Sequence, residues 1–163
     1  MQNILEKIKN LQSVQKPVQL HLGCGKRFIP EFLHIDLDKF PHIDVVGNVS
    51  DLSYIYDNTV DLIYACHVLE YFDNFELIPV LKEWYRVLKK GSVLRVSVPD
   101  FDKVIEVYKK YDNMNLIYGF LYGRYSQSKN ERVYHRIIYT HKTLRENLLK
   151  AGFESIQTYD WKK

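Results

Sequence analysis

Short apolar runs alternating with stretches of helical spacing constrain this chain more than any other feature. Residues 18–22, 33–37, 43–46, 60–65 and 92–98 each read as a strand, and residues 154–159 read as a sixth. The run Val60-Asp61-Leu62-Ile63-Tyr64-Ala65 is mostly apolar on both faces, as expected of a strand covered on each side. The helical segments carry a different period. Ile4, Leu5, Ile8 and Leu11 form one stripe in the first dozen residues, and Pro17 ends that region. Leu77, Leu81, Trp84 and Leu88 share a face of a helix over residues 76–90, with Pro79 in its first turn or so and Gly91 as its stop. Two further helices run from Phe101 to about Tyr111 and from His141 to Ala151, the second capped by Gly152. Strands alternating with helices imply a parallel α/β sheet with right-handed crossovers. Ligands of such sheets sit beyond the carboxyl ends of the strands, where the strand order reverses.

Composition narrows the class. The chain has 163 residues, 46% apolar and 26% charged, which excludes disorder or coiled coil as a global reading. Its 13 Tyr suggest polar-tipped surfaces for a ligand or partner. Lys and Arg outnumber Asp and Glu by only 3, too small an excess to argue for a nucleic-acid partner. No apolar run approaches the roughly 18–20 residues of a membrane-spanning helix, and no secretory core opens the chain. Two cysteines make neither a disulfide framework nor a zinc cluster, so no metal is expected. The expectation is a soluble, cytoplasmic, single-domain protein.

Four segments carry candidate chemistry. In His21-Leu22-Gly23-Cys24-Gly25, glycines directly after the first strand let the backbone turn tightly and approach a ligand. A dinucleotide fingerprint would need a third glycine where Phe28 stands, and Pro30 disfavours the helix that would follow, which argues against a nicotinamide cofactor. In His34-Ile35-Asp36-Leu37-Asp38, an acidic group at the end of the second strand can accept both hydroxyls of a ribose. Asp36 and Asp38 could equally be solvated strand-end carboxylates, the reading favoured for Asp38. Gly25 and Asp36 are so close in sequence that the intervening helix must shrink to a turn or loop. In Gly47-Asn48-Val49-Ser50-Asp51, side-chain oxygens and a backbone N–H could read an adenine edge, or serve as turn and cap chemistry. In Ala65-Cys66-His67-Val68-Leu69-Glu70, a sheet ordered 3-2-1-4-5 puts His67 opposite Gly23–Gly25; a catalytic and a structural histidine are about equally favoured there.

Taken in order, L-x-L-G-C-G, I-D-L-D, Asp61-Leu62-Ile63-Tyr64-Ala65-Cys66-His67-Val68-Leu69-Glu70, Glu83-Trp84-Tyr85-Arg86-Val87-Leu88-Lys89-Lys90-Gly91, Val98-Pro99-Asp100 and Ala151-Gly152-Phe153 resemble the class I S-adenosylmethionine-dependent methyltransferases. The nearest likeness is to small methyltransferases associated with glycan or polysaccharide synthesis, and it spans roughly residues 18–159. The resemblance implies a Rossmann-like, doubly wound sheet with helices on both faces, forming one domain over residues 1–163. It implies S-adenosylmethionine as cofactor, with Gly23, Cys24 and Gly25 as the loop beneath it and Asp36 at the ribose. Asn48 and Val49 fall at the adenine, and Ala65 and His67 at the methionine and methyl end. His21 stands where an acidic residue is common, Arg27 at the third glycine, Asn48 where Asp is frequent, and Tyr71 where His is common. The family's final antiparallel strand is missing after Trp161-Lys162-Lys163, so either the chain is shortened or the sheet edge is completed another way.

Methyl transfer is an in-line displacement that depends on positioning and exclusion of water, and an oxygen nucleophile usually also needs a base. His67 and His135 are the candidate bases. Residues 113–140 read as an acceptor-side insertion, where Arg124, Tyr125 and Arg136 would suit a phosphate, carboxylate or sugar face. That stretch could equally be a solvated basic loop or a subunit surface. Cys24 and Cys66 read as packing residues, and Trp84 as core. The leading expectation is methylation of a hydroxyl or carboxyl on a small-molecule or glycan-like acceptor. The rival is a degenerate, non-catalytic domain of this fold acting as an interaction module. An unpaired sixth strand would invite a homo-oligomeric partner.

Overall fold

The computed structural model describes residues 2–123 and 134–159. Five parallel strands form one sheet: β1 (Gln19–Leu22), β2 (Leu33–Asp36), β3 (Val45–Val46), β4 (Val60–Cys66) and β5 (Leu88–Ser97). Their order is β3-β2-β1-β4-β5, so the chain reverses direction across the sheet between β1 and β4. Leu20, His21 and Leu22 alternate between the two faces of β1 and all three are buried, so both sides of the sheet centre are covered. This is the Rossmann-like α/β architecture expected from the alternating pattern.

Local chemistry explains the helices. In α1 (Gln2–Ser13), Ile4 and Ile8 enter the core, and Gln15 takes a left-handed turn before Pro17. Ahead of α2 (Leu77–Val87), the Asp73 carboxylate accepts the N–H groups of Phe75 and Glu76, and the Glu76 carboxylate accepts that of Asp73. This reciprocal cap satisfies donors that the helix cannot. Asp100 caps α3 (Phe101–Tyr111), and a Thr140/Thr143 box caps α5 (His141–Ala151), which ends on left-handed Gly152. A short helix α4 (Tyr118–Tyr122) lies between α3 and α5. Trp84 of α2 is fully buried and its indole N–H donates to the Val49 carbonyl at 2.8 Å. No helix occurs between β1 and β2, as the short spacing requires.

Two expectations change. The helix expected to Lys90 stops at Val87, because Leu88 is already extended and pairs with Val60. Val60 pairs with Leu88 but Leu62 with Val93, so β5 carries extra residues in a bulge; Gly91, with φ +82°, sits inside it and not at a helix end. The sixth strand at 154–159 is not formed among the described residues. Ser155 has φ +53°, which breaks extended backbone, and β5 is the sheet's last strand.

Candidate active site

In a sheet of this order the ligand crevice is expected where β1 and β4 part. Leu22 pairs with Ala65 near the carboxyl ends of the two strands, and the loops that follow touch. A Cβ on Gly23 would lie 2.5 Å from Val68 Cγ2, and its φ is +61°, so this position admits only glycine while Val68 stays in place. Gly23 thus joins the two strand exits. Gly25 differs: it also has positive φ, +54°, but nothing lies within 4 Å of where its Cβ would be. Its backbone borders open space.

Asp36 stands beside that space. It ends β2, is 9% exposed, and accepts the Gly25 N–H on Oδ2 at 2.7 Å and the Asp38 N–H on Oδ1 at 2.8 Å. The carboxylate therefore faces the glycine loop, and each oxygen keeps a lone pair for a further donor such as a ribose hydroxyl. Asp38 is exposed and contributes its backbone N–H. The Gly47 N–H donates to the Asp36 carbonyl at 2.8 Å, which brings Asn48 to the same end of the sheet. Asn48 Oδ1 accepts the Ser50 N–H in an Asx turn, and the Val49 side chain is buried. Of the two readings of Asn48, the turn is the one its side chain makes here.

His21, at a position where the resembled family commonly carries an acidic residue, is buried here. Burial is the main reason its pKa falls to about 4, with His34, Arg27 and His42 adding to the effect. Its ring lies 5.1 Å from Tyr64 and 5.4 Å from His34, in a row across β4, β1 and β2. Burial drives the Cys24 thiol up to about 12, so Cys24 is a packing residue at neutral pH.

The second half of the site is built on β4's exit. His67 has φ +58°, uncommon for a residue with a Cβ, and its N–H donates to the Ser97 carbonyl at 2.9 Å. Its Nδ1 lies 2.9 Å from Oε1 of Glu70, in the short 3-10 turn Leu69–Tyr71. His135 arrives from far along the chain: its Nε2 lies 3.8 Å from the same oxygen, and its Nδ1 donates to the Phe120 carbonyl at 3.1 Å. The backbone around His135 is sewn to the turn, because the Arg136 N–H donates to the Glu70 carbonyl and the buried Tyr139 hydroxyl to that of Leu69. The two candidate bases thus meet at one carboxylate. The Arg136 guanidinium instead pairs with Glu76 at 3.0 Å on the surface. Arg124 and Tyr125 lie outside the described residues.

Residues 24–96 match a methyltransferase domain. The fold is shared with a SAM-dependent methyltransferase from Thermotoga maritima at 20% identity and TM-score 0.57, covering 89% of this chain and 70% of that one. A SAM-dependent methyltransferase from Archaeoglobus fulgidus aligns at 17% identity and TM-score 0.60, over 91% and 68% of the two chains. The Burkholderia thailandensis 1,6-didemethyltoxoflavin-N1-methyltransferase, solved with S-adenosylhomocysteine bound, aligns at 14% identity and TM-score 0.58, over 90% and 65%. No curated protein matches the sequence. Residues 24–96 are thus similar to a methyltransferase domain, and the fold is the one these solved S-adenosylmethionine-dependent methyltransferases share. Among the described residues, no helix is long and apolar enough to cross a membrane.

Sequence reasoning singled out both histidines but not Glu70 as the group between them. The spacing His67-x-x-Glu70 carried half of that signal. The other half, the approach of His135, has none in the local sequence.

Proposed function

We propose that the chain binds S-adenosylmethionine across the β1/β4 crevice and methylates a hydroxyl or carboxyl of a small-molecule or glycan-like acceptor. The observation that carries this reading is the hydrogen bond from Gly25 to Asp36 beside open space over the Gly25 backbone. A cradle without Cβ atoms next to an oriented carboxylate fits an adenosine, whose ribose hydroxyls donate to the carboxylate oxygens. When bound, the cofactor supplies a methyl group activated on a sulfonium. Gly25 lets the main chain approach it, Asp36 orients its sugar, and the Asn48–Val49 loop borders the base. Ala65 and His67 lie toward the reacting end. His67 and His135 are the groups that could take a proton from an oxygen nucleophile. Residues 113–140, with Arg124, Tyr125 and Arg136, form the acceptor side, where guanidinium groups suit a carboxylate or phosphate.

Calorimetric titration with S-adenosylmethionine and S-adenosylhomocysteine tests the reading. We expect binding of both, weakened at least about tenfold in Asp36→Ala, since two charge-assisted hydrogen bonds are lost. Absence of heat from either ligand, or unchanged binding in Asp36→Ala, would overturn it.

A further inference from the structure

The geometry points to His34 as a positioning residue for the proposed cofactor site: while its ring is neutral it tethers the loop that leaves the glycine cradle, and protonation of the ring releases that loop. This inference rests on the reading that Gly25 and Asp36 hold the cofactor. Residues 26–32 run directly from Gly25 to β2, and Lys26, Arg27 and Phe28 are exposed. Among the described residues, one hydrogen bond ties this loop to the sheet: the Ile29 N–H donates to Nε2 of His34 at 3.1 Å. The loop's other bonds are local, from the Arg27 N–H to the Cys24 carbonyl and from the Phe32 N–H to the Ile29 carbonyl. A backbone N–H only donates, so Nε2 is the bare nitrogen and the proton of the neutral ring sits on Nδ1.

The surroundings of the ring suit a neutral imidazole. His34 is 1% exposed, and Phe28 stacks on it with ring centres 5.3 Å apart, so the loop is held by ring contact as well as by the Ile29 bond. The titratable groups facing it are His21 on β1 at 5.4 Å, and His42 at 5.1 Å and Asp44 on the segment between β2 and β3. Arg27 adds its charge to this row through His21. Nδ1 lies 3.7 Å from Oδ2 of Asp44, an oxygen that already accepts the His34 N–H, and the other Asp44 oxygen accepts Nζ of Lys7 from α1. Burial disfavours the imidazolium more than Asp44 favours it, and His42 disfavours it further. Acid adds its proton at Nε2, the remaining basic nitrogen. Two donors then face each other, and the Ile29 N–H must move away. The freed loop starts at Gly25, whose N–H meets Asp36 at 2.7 Å, so the displacement reaches the carboxylate proposed to orient the ribose.

Nuclear magnetic resonance of the full chain tests this without any ligand. At neutral pH, nitrogen-15 spectra should show His34 with a bare Nε2 and a protonated Nδ1. As the pH falls, the Ile29 amide resonance should move with the midpoint of the His34 ring, while the amides of the buried Leu20 and Ile63 hold their positions. A proton on Nε2 at neutral pH overturns the inference. So does an Ile29 amide that ignores the ring's titration, or a ring that stays neutral until the whole chain unfolds. His34→Gln supplies the readout at the site, because its amide oxygen can accept the same N–H and has no proton to gain. S-adenosylhomocysteine affinity of the wild type should fall about fivefold or more as the pH drops through the His34 midpoint. His34→Gln should match the wild type at neutral pH and lose that fall; an equal fall in both proteins overturns the coupling. If the variant fails to fold, the wild-type spectra still decide. Absence of wild-type binding at neutral pH defeats the cofactor proposal and leaves the loop result standing.

Discussion

Gly23 and Gly25 both take positive φ, yet they answer to different demands. At Gly23 a methyl group would collide with Val68 at 2.5 Å, so Gly23→Ala combines left-handed strain with overpacking. We expect a loss of about 3 kcal/mol in urea unfolding. At Gly25 nothing stands in the way, so Gly25→Ala should cost only about 1 kcal/mol while lowering S-adenosylhomocysteine affinity, because the new Cβ would enter the space the ligand is proposed to use. Equal stability losses at the two positions would contradict the packing described. Both glycines are legible in the sequence as a turn after a strand; which of them serves the fold and which borders open space is not, because Val68 lies on another loop.

Among the elements, α2 is tied to the loop before β4 by Arg86, Glu83 and Trp84, and Arg86 makes the most bonds. Arg86 donates to the Ile55 carbonyl at 2.9 Å and the Leu52 carbonyl at 3.0 Å, and it pairs with Glu83 and Asp57. Glu83 in turn accepts the Leu52 N–H at 2.9 Å. Removing the guanidinium strands two carbonyls and a carboxylate in a half-buried setting. Arg86→Ala should therefore lose about 2 kcal/mol in denaturant unfolding, discounted for partial exposure. Arg86→Lys should recover only part of it, since an ammonium cannot span the same fork. The helix's apolar stripe and Pro79 were readable in advance. Its C-terminal limit was not, because pairing of Leu88 with Val60 outweighs the helical preference of residues 88–90.

Across the whole molecule, buried neutral histidines link stability to pH. His21 titrates near 4 in the fold against 6.5 when exposed, and burial lowers His34 as well despite the opposing pull of Asp44. His34 Nε2 also accepts the Ile29 N–H at 3.1 Å, a bond that protonation would break. Between about pH 6.5 and 4 the unfolded chain binds more protons than the folded one, so stability falls as pH falls through that window. For His21 alone the loss approaches roughly 3 kcal/mol. Unfolding free energies measured from pH 7.5 to 4.5 should decline, and His21→Gln should flatten the decline; a rise in stability over this range would contradict the assignment.

By itself the sequence determined what depends on neighbours along the chain. These are the alternation of strands and helices, the turn at Gly23-Cys24-Gly25, the helix-free link to Asp36, the Gly152 cap, and His67 at the end of β4. Tertiary structure alone decided what depends on distant partners: Asp36 turning its carboxylate to Gly25, the bulge around Gly91, the missing sixth strand, and His135 meeting His67 at Glu70. The reason is physical. Propensity and periodicity act within a few residues, whereas a strand needs a partner edge and a buried carboxylate needs donors, and the folded chain supplies both from segments remote in sequence.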